Sequence, residues 1–266
     1  MKRVFLTGAS SGIGLATAHA LLGRGHEIWG TSRNPDKLPR LDRFHPVQLD
    51  LGNRGEIEKI FARSSQEAGH FDVVINNAGS GHFGPAEFLS PIEIEDQFQI
   101  VFFAHIRLMQ LALAQMRARD SGLIVNVTSL AARLPVPFMA AYNSAKAAMA
   151  SFTMSLQLEL AGSHIHLVDL QPGDIRTEFN EAISPKEPDP IYKAKFAKTW
   201  DAVERNMKAA PEPELVGRYL VHLIDQENPP ARLTVGDTFQ TKIAPFIFRF
   251  LPQSVRIWGL KKYYGI

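Results

Sequence analysis

Cysteine is absent from this chain of 266 residues. The absence excludes disulfides, iron–sulfur clusters, cysteine-ligated zinc and a thiol nucleophile, and we predict no metal site of any other kind. No uninterrupted apolar run approaches the roughly 18 residues of a membrane span. Only the apolar residues 4–6 separate Met1-Lys2-Arg3 from Thr7, so we expect no signal peptide and a cytoplasmic location.

The chain also lacks a strong excess of charge of either sign. Charged residues make up 21% of the chain, hydrophobic residues make up 45%, and the formal net charge is +2. These values are typical of an ordinary globular protein and give too little positive charge to indicate nucleic-acid binding. Because there is no internal repeat and no break in composition, we expect residues 1–266 to form a single domain.

Apolar runs of strand length alternate with helical periodicity along the chain. This alternation implies βαβ units and predicts an α/β fold, a single Rossmann-type, doubly wound parallel sheet with helices on both faces. Ligands of such sheets bind outside the carboxyl ends of the strands, where the glycine-rich and polar segments of this chain fall. Strands are predicted at 4–6, 26–31, ending at 48–50, and at 71–75, 123–127, 164–170 and 233–235, and helices at 13–22, 57–64, 91–119, 142–160 and 214–224.

The stretch TGASSGIG, residues 7–14, places three glycines between the first strand and the first helix. Gly8 permits a tight turn, Gly12 lets the backbone approach a ligand, and Gly14 lets the helix pack closely. The free N–H groups at a helix N-terminus suit a pyrophosphate. The spacing differs from G-x-G-x-x-G, so a purely structural turn is the alternative to a dinucleotide-binding loop.

Further motifs follow in a fixed order: NNAG at 76–79, Ser129, YNSAK at 142–146 and PGDIRT at 172–177. From residue 4 to about 177 the chain resembles the short-chain dehydrogenase/reductase family in its short, single-domain form. The resemblance implies a nicotinamide dinucleotide, with Asp50 near the adenine and Thr177 near the nicotinamide carboxamide. The cofactor-binding residues that it implies are Gly8, Ser10, Ser11, Gly12, Ile13, Gly14, Asp50, Leu51, Asn77, Ala78, Gly79, Tyr142, Lys146, Pro172, Gly173, Ile175 and Thr177.

The end of the second strand bears on the choice between NAD and NADP. An acidic residue there would accept hydrogen bonds from the adenosine ribose and repel a 2′-phosphate. This chain has Ser32 at that position, followed by Arg33, whose guanidinium can grip a phosphate. A lone arginine is often a solvated surface residue, but here we predict a preference for NADP(H).

Tyr142 and Lys146 are four residues apart, on one face of a predicted helix. A nearby ammonium favours the phenolate and would lower the tyrosine pKa, and Ser129 can hydrogen-bond a substrate oxygen. Such a set allows proton transfer to a carbonyl oxygen while hydride reaches its carbon. The resemblance implies these roles and adds that Lys146 holds the nicotinamide ribose.

One position departs from the family pattern. Alignment of the long helix puts Val101 where the family has an asparagine and Ala104 where it has a glycine. Valine cannot bind the water that would complete a proton relay to Lys146. The relay then runs through bulk water, or His105 substitutes, or the chain is a catalytically weak or silent NADP-binding sensor or scaffold. A sugar epimerase or dehydratase of the longer family branch fits the chain length and loop spacing poorly.

Two segments bear on the substrate and the partners. Residues 178–210 correspond to a substrate lid in the family and are rich in apolar side chains, which favours a small, mostly apolar ketone, aldehyde or alcohol. The tail at 238–266 is basic and aromatic with no acidic residue, so it packs on its own domain or on a second subunit, or lies on a membrane surface. By the resemblance we expect a homodimer or homotetramer built on the helices at 91–119 and 142–161. No nucleic-acid partner is predicted.

Overall fold

The fold is given by a computed structural model that describes residues 1–179, 184–185 and 189–266. Seven strands form one sheet in the order β3-β2-β1-β4-β6-β7-β9, and every neighbouring pair is parallel. The predicted doubly wound sheet is therefore confirmed. Its strands are β1 (Arg3–Leu6), β2 (Glu27–Ser32), β3 (Phe44–Gln48), β4 (Val73–Asn76), β6 (Gly122–Val127), β7 (Ile165–Pro172) and β9 (Arg232–Val235).

Helices connect the strands, and two more follow the last strand. Their bounds are α1 (Gly12–Gly23), α2 (Arg54–Ala68), α3 (Pro91–Phe98), α4 (Ala104–Arg119), α5 (Ala140–Glu159), α6 (Lys193–Ala209), α7 (Glu214–Ile224), α8 (Ala244–Phe250) and α9 (Gln253–Tyr264). A π-helical segment, Gln99–Phe103, joins α3 to α4, so the long predicted helix is continuous but locally widened. Widened turns of this kind are frequent at functional sites.

The core lies on both faces of the sheet because successive strand residues point to opposite sides. In β1, Val4 and Leu6 pack with α1 and α7, whereas Phe5 packs with α2 and α4. The same alternation holds along the neighbouring strand β4. Both faces are therefore apolar and covered, as a parallel sheet requires.

The helix Pro91–Arg119 is, within the described residues, the one that is long and apolar enough to cross a membrane by length and composition alone. This helix contains no uninterrupted apolar run of that length, so the sequence did not predict it as a candidate span. In the fold it contacts α2 and α5, and Leu108 and Met109 are fully buried in the core. It is therefore placed as a core helix of the α/β fold.

The strand order reverses between β1 and β4, and the loops after these strands meet there. A sheet of this kind binds its ligand at such a point. Beside it lies a second, two-stranded parallel sheet of β5 (His82–Phe83) and β8 (Ser184–Pro185), which the sequence did not predict. The sheet edge at the reversal therefore positions the candidate site.

Candidate active site

The glycine loop is bent back onto itself. Gly8 has a positive φ of 71°, a conformation that a side chain rarely adopts. A Cβ at Gly14 would lie 1.9 Å from the Gly8 carbonyl oxygen and 2.6 Å from Asn77 Nδ2. Gly14 thus lets the first turn of α1 close onto the loop itself, whereas the sequence analysis expected the contact only between helix and sheet.

A threonine that the sequence analysis did not single out braces the loop. Thr7 Oγ1 accepts hydrogen bonds from the backbone N–H groups of Asn77, at 2.8 Å, and Ala78, at 2.9 Å. The Asn77 side chain returns a bond from Nδ2 to the Thr7 carbonyl oxygen, at 2.9 Å. These three bonds fasten the loop after β4 to the loop after β1. Threonine at the start of the glycine motif was the available signal.

The N-terminus of α1 has the character of an anion site. Ser11 occupies the capping position without a side-chain capping bond, and the first turn has no acidic residue. The N–H groups there retain their partial positive charge and capacity for an external acceptor. A phosphate-bearing group therefore fits this end of the loop.

Of the residues expected around the adenosine, Ser32 contacts the glycine loop directly. Ser32 donates to Ser10 Oγ at 3.2 Å, which ties the end of β2 to the loop. The neighbouring Arg33 side chain is exposed, and it makes no ion pair or hydrogen bond with any residue that the structure describes. Asp50 Oδ1 accepts from the Gly52 N–H at 2.9 Å, and the Leu51 carbonyl accepts from Gln99 Nε2 at 2.9 Å.

The segment after β7 closes the other side of the loop. A Cβ at Gly12 would meet Thr177 Cγ2 at 3.2 Å, so Thr177 lies directly against the glycine loop. Ile175 is buried in the core with Ile13 packed against the same cluster. Pro172 ends β7, and the Gly173 N–H donates to Val235 O at 2.8 Å. All four predicted residues of this segment are thus near the loop or the strand ends that flank it.

The three predicted catalytic residues lie at the carboxyl end of β6 and on α5. Ser129 begins a short turn, with its Oγ accepting from the Ala131 N–H at 3.0 Å. Lys146 Nζ donates to the Val127 carbonyl oxygen at 2.7 Å and lies 5.7 Å from the centre of the Tyr142 ring. The helical spacing of Tyr142 and Lys146 therefore brings both side chains toward the strand end that precedes Ser129.

Electrostatics correct one expectation about Tyr142. Burial raises the pKa of Tyr142 to about 12, and the Ser129 hydroxyl offsets only part of that shift. Burial also lowers the pKa of Lys146, to about 8, against the opposing attraction of Asp169. Lys146 is therefore already neutral at the pH where Tyr142 loses its proton, and its charge favours the phenolate only at lower pH. The phenol is therefore the form of Tyr142 that is present at neutral pH.

Asp169 supplies the balancing charge and was missed in the sequence. Its carboxylate accepts from Thr128 Oγ1, from Gln171 Nε2 at 2.8 Å and from Arg232 Nε at 2.8 Å. These three donors compensate the burial of the carboxylate. An acidic residue inside the central strand β7 was the signal that could have revealed it.

Val101 lies in the π-helical segment and is buried. Its side chain has no polar atom, but its carbonyl oxygen is 3.2 Å from His105 Nδ1, and His105 Nε2 is 3.3 Å from Thr7 Oγ1. Burial and the charge of Lys146 lower the pKa of His105 to about 3. We assign a neutral ring that donates from Nδ1 and accepts from Thr7, so that both nitrogens belong to the brace around the glycine loop.

Aromatic side chains from distant segments surround Tyr142. Phe83 is fully buried and its ring centre lies 4.9 Å from those of both Phe196 and Trp200. The ring centre of Phe179 lies 5.5 Å from that of Tyr142, with the two rings tilted by 51°. Two further apolar residues belong to the predicted lid at 178–210: Ile183 lies outside the described residues, and Ile191 is exposed. We call the following set the aromatic cluster: Phe83, Val136, Phe138, Met139, Tyr142, Phe179, Phe196, Trp200 and Val203.

The backbone before α5 shapes this wall. Phe138 adopts a positive φ of 63°, which is strained for a residue with a side chain. Its carbonyl oxygen accepts from the Gly84 N–H at 2.8 Å, and Asn143 Nδ2 donates to Val136 O at 2.8 Å. These bonds hold residues 136–139 against the loop that carries Phe83. Asn143 belongs to the YNSAK motif, but its clamping role was not predicted.

Known proteins share this sequence pattern and this fold. A family model described as short chain dehydrogenase matches residues 2–188. A 3-ketodihydrosphingosine reductase of Bacteroides thetaiotaomicron is 29% identical over 266 residues, which cover 99% of this chain and 98% of that protein. A short-chain dehydrogenase structure from Streptomyces avermitilis has a TM-score of 0.83 and 29% identity, and the match covers 98% of this chain and 94% of that one. A serine dehydrogenase complexed with NADP+ has a TM-score of 0.77 and 24% identity over 90% and 96% of the two chains.

Proposed function

This chain belongs to the short-chain dehydrogenase family, and on that premise we propose that it is an NADP(H)-dependent oxidoreductase that reduces a mostly apolar ketone or aldehyde. The observation that carries the proposal is the phenol of Tyr142, which stands beside Ser129 and Lys146 and inside the aromatic cluster. A proton donor at that place is bordered by apolar side chains. Such a border accepts a carbonyl-bearing hydrocarbon better than a sugar or a phosphate.

The residues present fit a dinucleotide. The α1 N-terminus and the backbone of 8–14 would hold the pyrophosphate, while Asp50, Leu51 and the 77–79 segment would border the adenosine. Pro172, Gly173, Ile175 and Thr177 would border the nicotinamide. A side chain at Gly12 would crowd Thr177. Its absence lets the protein backbone at this turn approach a bound dinucleotide closely.

Side chains of the protein supply the proton that the carbonyl oxygen receives. When bound, the dinucleotide supplies the hydride. Ser129 donates a hydrogen bond to the carbonyl oxygen and orients it, and the protonated Tyr142 transfers its proton to that oxygen as general acid. Lys146 holds the ribose and, as an ammonium, stabilises the phenolate that remains on Tyr142. Protonation at neutral pH suits the direction of reduction.

Arg33 supports the preference for NADP(H). Its guanidinium is exposed beside the Ser10–Ser32 pair and has no partner among the described residues, so it is available to a 2′-phosphate. Ser32 also offers no carboxylate that would repel that phosphate.

The keto function of the substrate has separate support. The similarity to a protein named 3-ketodihydrosphingosine reductase extends over nearly the whole of both chains. The aromatic cluster offers a lipid-like or steroid-like carbonyl compound an apolar wall, formed mainly by Phe83, Phe138, Phe196 and Trp200. A substrate of this class would place its carbonyl at Tyr142.

A second candidate function rests on Val101. Without the family asparagine, the chain could bind NADP(H) and turn over no carbonyl. The experiment is a panel of aliphatic, aromatic and steroidal aldehydes and ketones, with loss of NADPH absorbance as the readout and NADH alongside. Turnover that prefers NADPH supports the reductase. Tight NADPH binding without turnover in the wild type, with turnover appearing in Val101→Asn, would replace it by the binding protein.

We also propose a homo-oligomer built on α4 and α5. Met154 and Leu158 of α5 are 53% and 74% exposed, and Phe103 at the start of α4 is 48% exposed, so the helices present apolar surface that a second copy would cover. Light scattering on the wild type and on Leu158→Glu tests this. The variant should shift from oligomer to monomer, and a monomeric wild type would contradict the proposal.

A further inference from the structure

The C-terminal tail, residues 238–266, packs on the domain by one side only. Tyr264 is buried, and the Tyr263 hydroxyl accepts from Asn206 Nδ2 of α6 at 2.8 Å. Gln240 Nε2 donates to Asp174 Oδ2 at 2.6 Å, which ties the start of the tail to the segment after β7. These contacts fix the tail on the body of the protein, so its outer side is a defined surface.

That outer side concentrates exposed apolar side chains. Nine of the nineteen large hydrophobic residues exposed in the described structure fall between 239 and 263, a density that marks an interaction surface. Phe246 and Phe250 are 66% and 69% exposed and contact each other with ring centres 5.3 Å apart. Trp258 is 62% exposed. Exposure of this much apolar surface to water is unfavourable, and burial against a partner would relieve it.

A cationic cleft of about 280 Å³ adjoins the phenylalanines. Three segments meet there: the turn after Ser129, the edge strand β9 and the tail. Of its four cations, only Arg232 has a carboxylate partner among the residues that the structure describes, namely Asp169. The residues that line the cleft are Arg133, Arg232, Thr234, Thr241, Lys242, Pro245, Phe246 and Arg249.

The cations of this cleft repel one another. The pKa of Arg133 is lowered by burial and by the charges of Arg232 and Arg249, against the attraction of Asp169. Clustered like charges are unfavourable until an anion neutralises them. Because Phe246 lines the same cleft and also projects into solvent, an anionic group bound there would stand next to an apolar contact.

We propose that this surface docks on an anionic lipid membrane, with a lipid phosphate in the cationic cleft and Phe246 and Phe250 in the boundary between headgroups and acyl chains. Charge complementarity decides against a second copy, since a two-fold interface would bring the tail, which has no acidic residue, against its own cations. A free anion would fill the cleft but leave the phenylalanines uncovered. This docking is independent of the proposed reaction.

The test is co-sedimentation of the full chain with phosphatidylcholine vesicles that contain or lack phosphatidylglycerol, without substrate. We expect binding only to the anionic vesicles. Lys242→Gln/Arg249→Gln should weaken it by about tenfold or more, and Phe246→Ser/Phe250→Ser should do the same. Matched doubles at exposed sites elsewhere, Lys59→Gln/Arg63→Gln on α2 and Ile92→Ser/Ile94→Ser on α3, should bind as the wild type does.

Three outcomes would overturn the proposal. The first is no binding to anionic vesicles, or binding that both tail doubles retain. The second is a change from dimer to monomer in Phe246→Ser/Phe250→Ser by sedimentation velocity, which would assign the surface to a second copy. The third is thermal stabilisation by inorganic phosphate that Lys242→Gln/Arg249→Gln abolishes while vesicles remain unbound, which would assign the cleft to a soluble anion.

Discussion

The two ends of the candidate site are built from different materials. The nucleotide end consists of backbone and small polar groups, held by Thr7 and Asn77 and compacted by Gly14. The substrate end consists of aromatic rings such as Phe83 and Phe196, packed through their faces and edges. Under the proposed function, one end would recognise its ligand by fixed hydrogen-bonding groups, and the other by shape and apolar area.

This difference indicates which end of the site can vary in ligand specificity. A backbone cradle accepts any ligand with the same phosphates, whereas side chains from separate segments can change without disturbing the cradle. Tyr142 and Lys146 stand at the junction, near Ser129 on one side and the aromatic cluster on the other. Substitutions should therefore separate cofactor effects from substrate effects, and the predictions below test that separation.

The largest effect on cofactor binding is expected for Gly14→Ala, because the new Cβ would lie 1.9 Å from the Gly8 carbonyl oxygen, which is backbone and cannot rotate away. The loop must shift, so NADPH binding should weaken by about 100-fold or more, and stability should fall by about 1–3 kcal/mol. Fluorescence titration and urea unfolding measure both. Gly23→Ala is the matched control, since its Cβ would meet nothing within 4 Å. If Gly14→Ala bound NADPH with wild-type affinity, the glycine loop would not be the part of the protein that binds the dinucleotide.

The next largest effect is expected at Lys146, between the two ends of the site, where kcat/KM should depend on pH. Burial lowers the pKa of Lys146 from 10.5 to about 8, so above pH 8 its ammonium loses a proton and no longer stabilises the Tyr142 phenolate. The kcat/KM for reduction should fall about tenfold per pH unit above that point. The side chain in Lys146→Arg stays charged over this pH range. We expect this variant to be slower than the wild type, but its kcat/KM should not fall above pH 8.

Stability should move the opposite way over the same range. The folded pKa of Lys146, about 8, is below its ordinary value of 10.5. Between these values the unfolded chain binds more protons, so this group's contribution to folding stability rises with pH. Unfolding at each pH, compared between the wild type and Lys146→Met, isolates that slope. Equal slopes in the two proteins, or activity that stays flat to pH 10, would contradict the assignment.

At the nucleotide end, Arg33→Ala should raise the KM for NADPH by about tenfold through loss of a charged hydrogen bond to the 2′-phosphate. The KM for NADH and the substrate preference should not change. Arg40→Ala, at another exposed arginine, is the control. If both cofactors weaken equally in Arg33→Ala, the arginine does not distinguish them.

The smallest effect is expected at the substrate end. Phe196→Ala removes a ring that contacts Phe83 and Phe138, so the KM for an apolar ketone should rise by a few-fold to about tenfold while NADPH affinity stays constant. Tyr219→Ala removes an exposed ring of α7 outside the aromatic cluster and should change neither value. A matching loss of NADPH affinity in Phe196→Ala would show that the two ends are coupled.

The nucleotide end was largely predictable because its signals are local. A strand, a glycine loop and a helix follow one another within 3–23, and the YNSAK motif sets Tyr142 and Lys146 one helical turn apart. What escaped prediction at this end depends on partners far along the chain. The contact of Gly14 with Asn77 and the bonds of Thr7 to residues 77–78 join segments about 70 positions apart.

The substrate end was less predictable because its elements are short and irregular. The pair β5/β8 has two residues in each strand, too few for an alternating pattern to show. The π-helical widening at Gln99–Phe103 leaves the apolar periodicity of the helix almost unchanged. The direction of the Tyr142 pKa also depends on how deeply the fold buries the phenol, which spacing alone does not reveal.

The most direct measurement is NADPH oxidation in the presence of an apolar ketone that the wild type turns over, repeated with Tyr142→Phe after its NADPH affinity has been measured. The variant should bind NADPH as the wild type does and lose about 100- to 10,000-fold in kcat, since it keeps the ring and lacks the proton. Retention of wild-type kcat in Tyr142→Phe would show that another group supplies the proton and would contradict the assignment of Tyr142 as general acid.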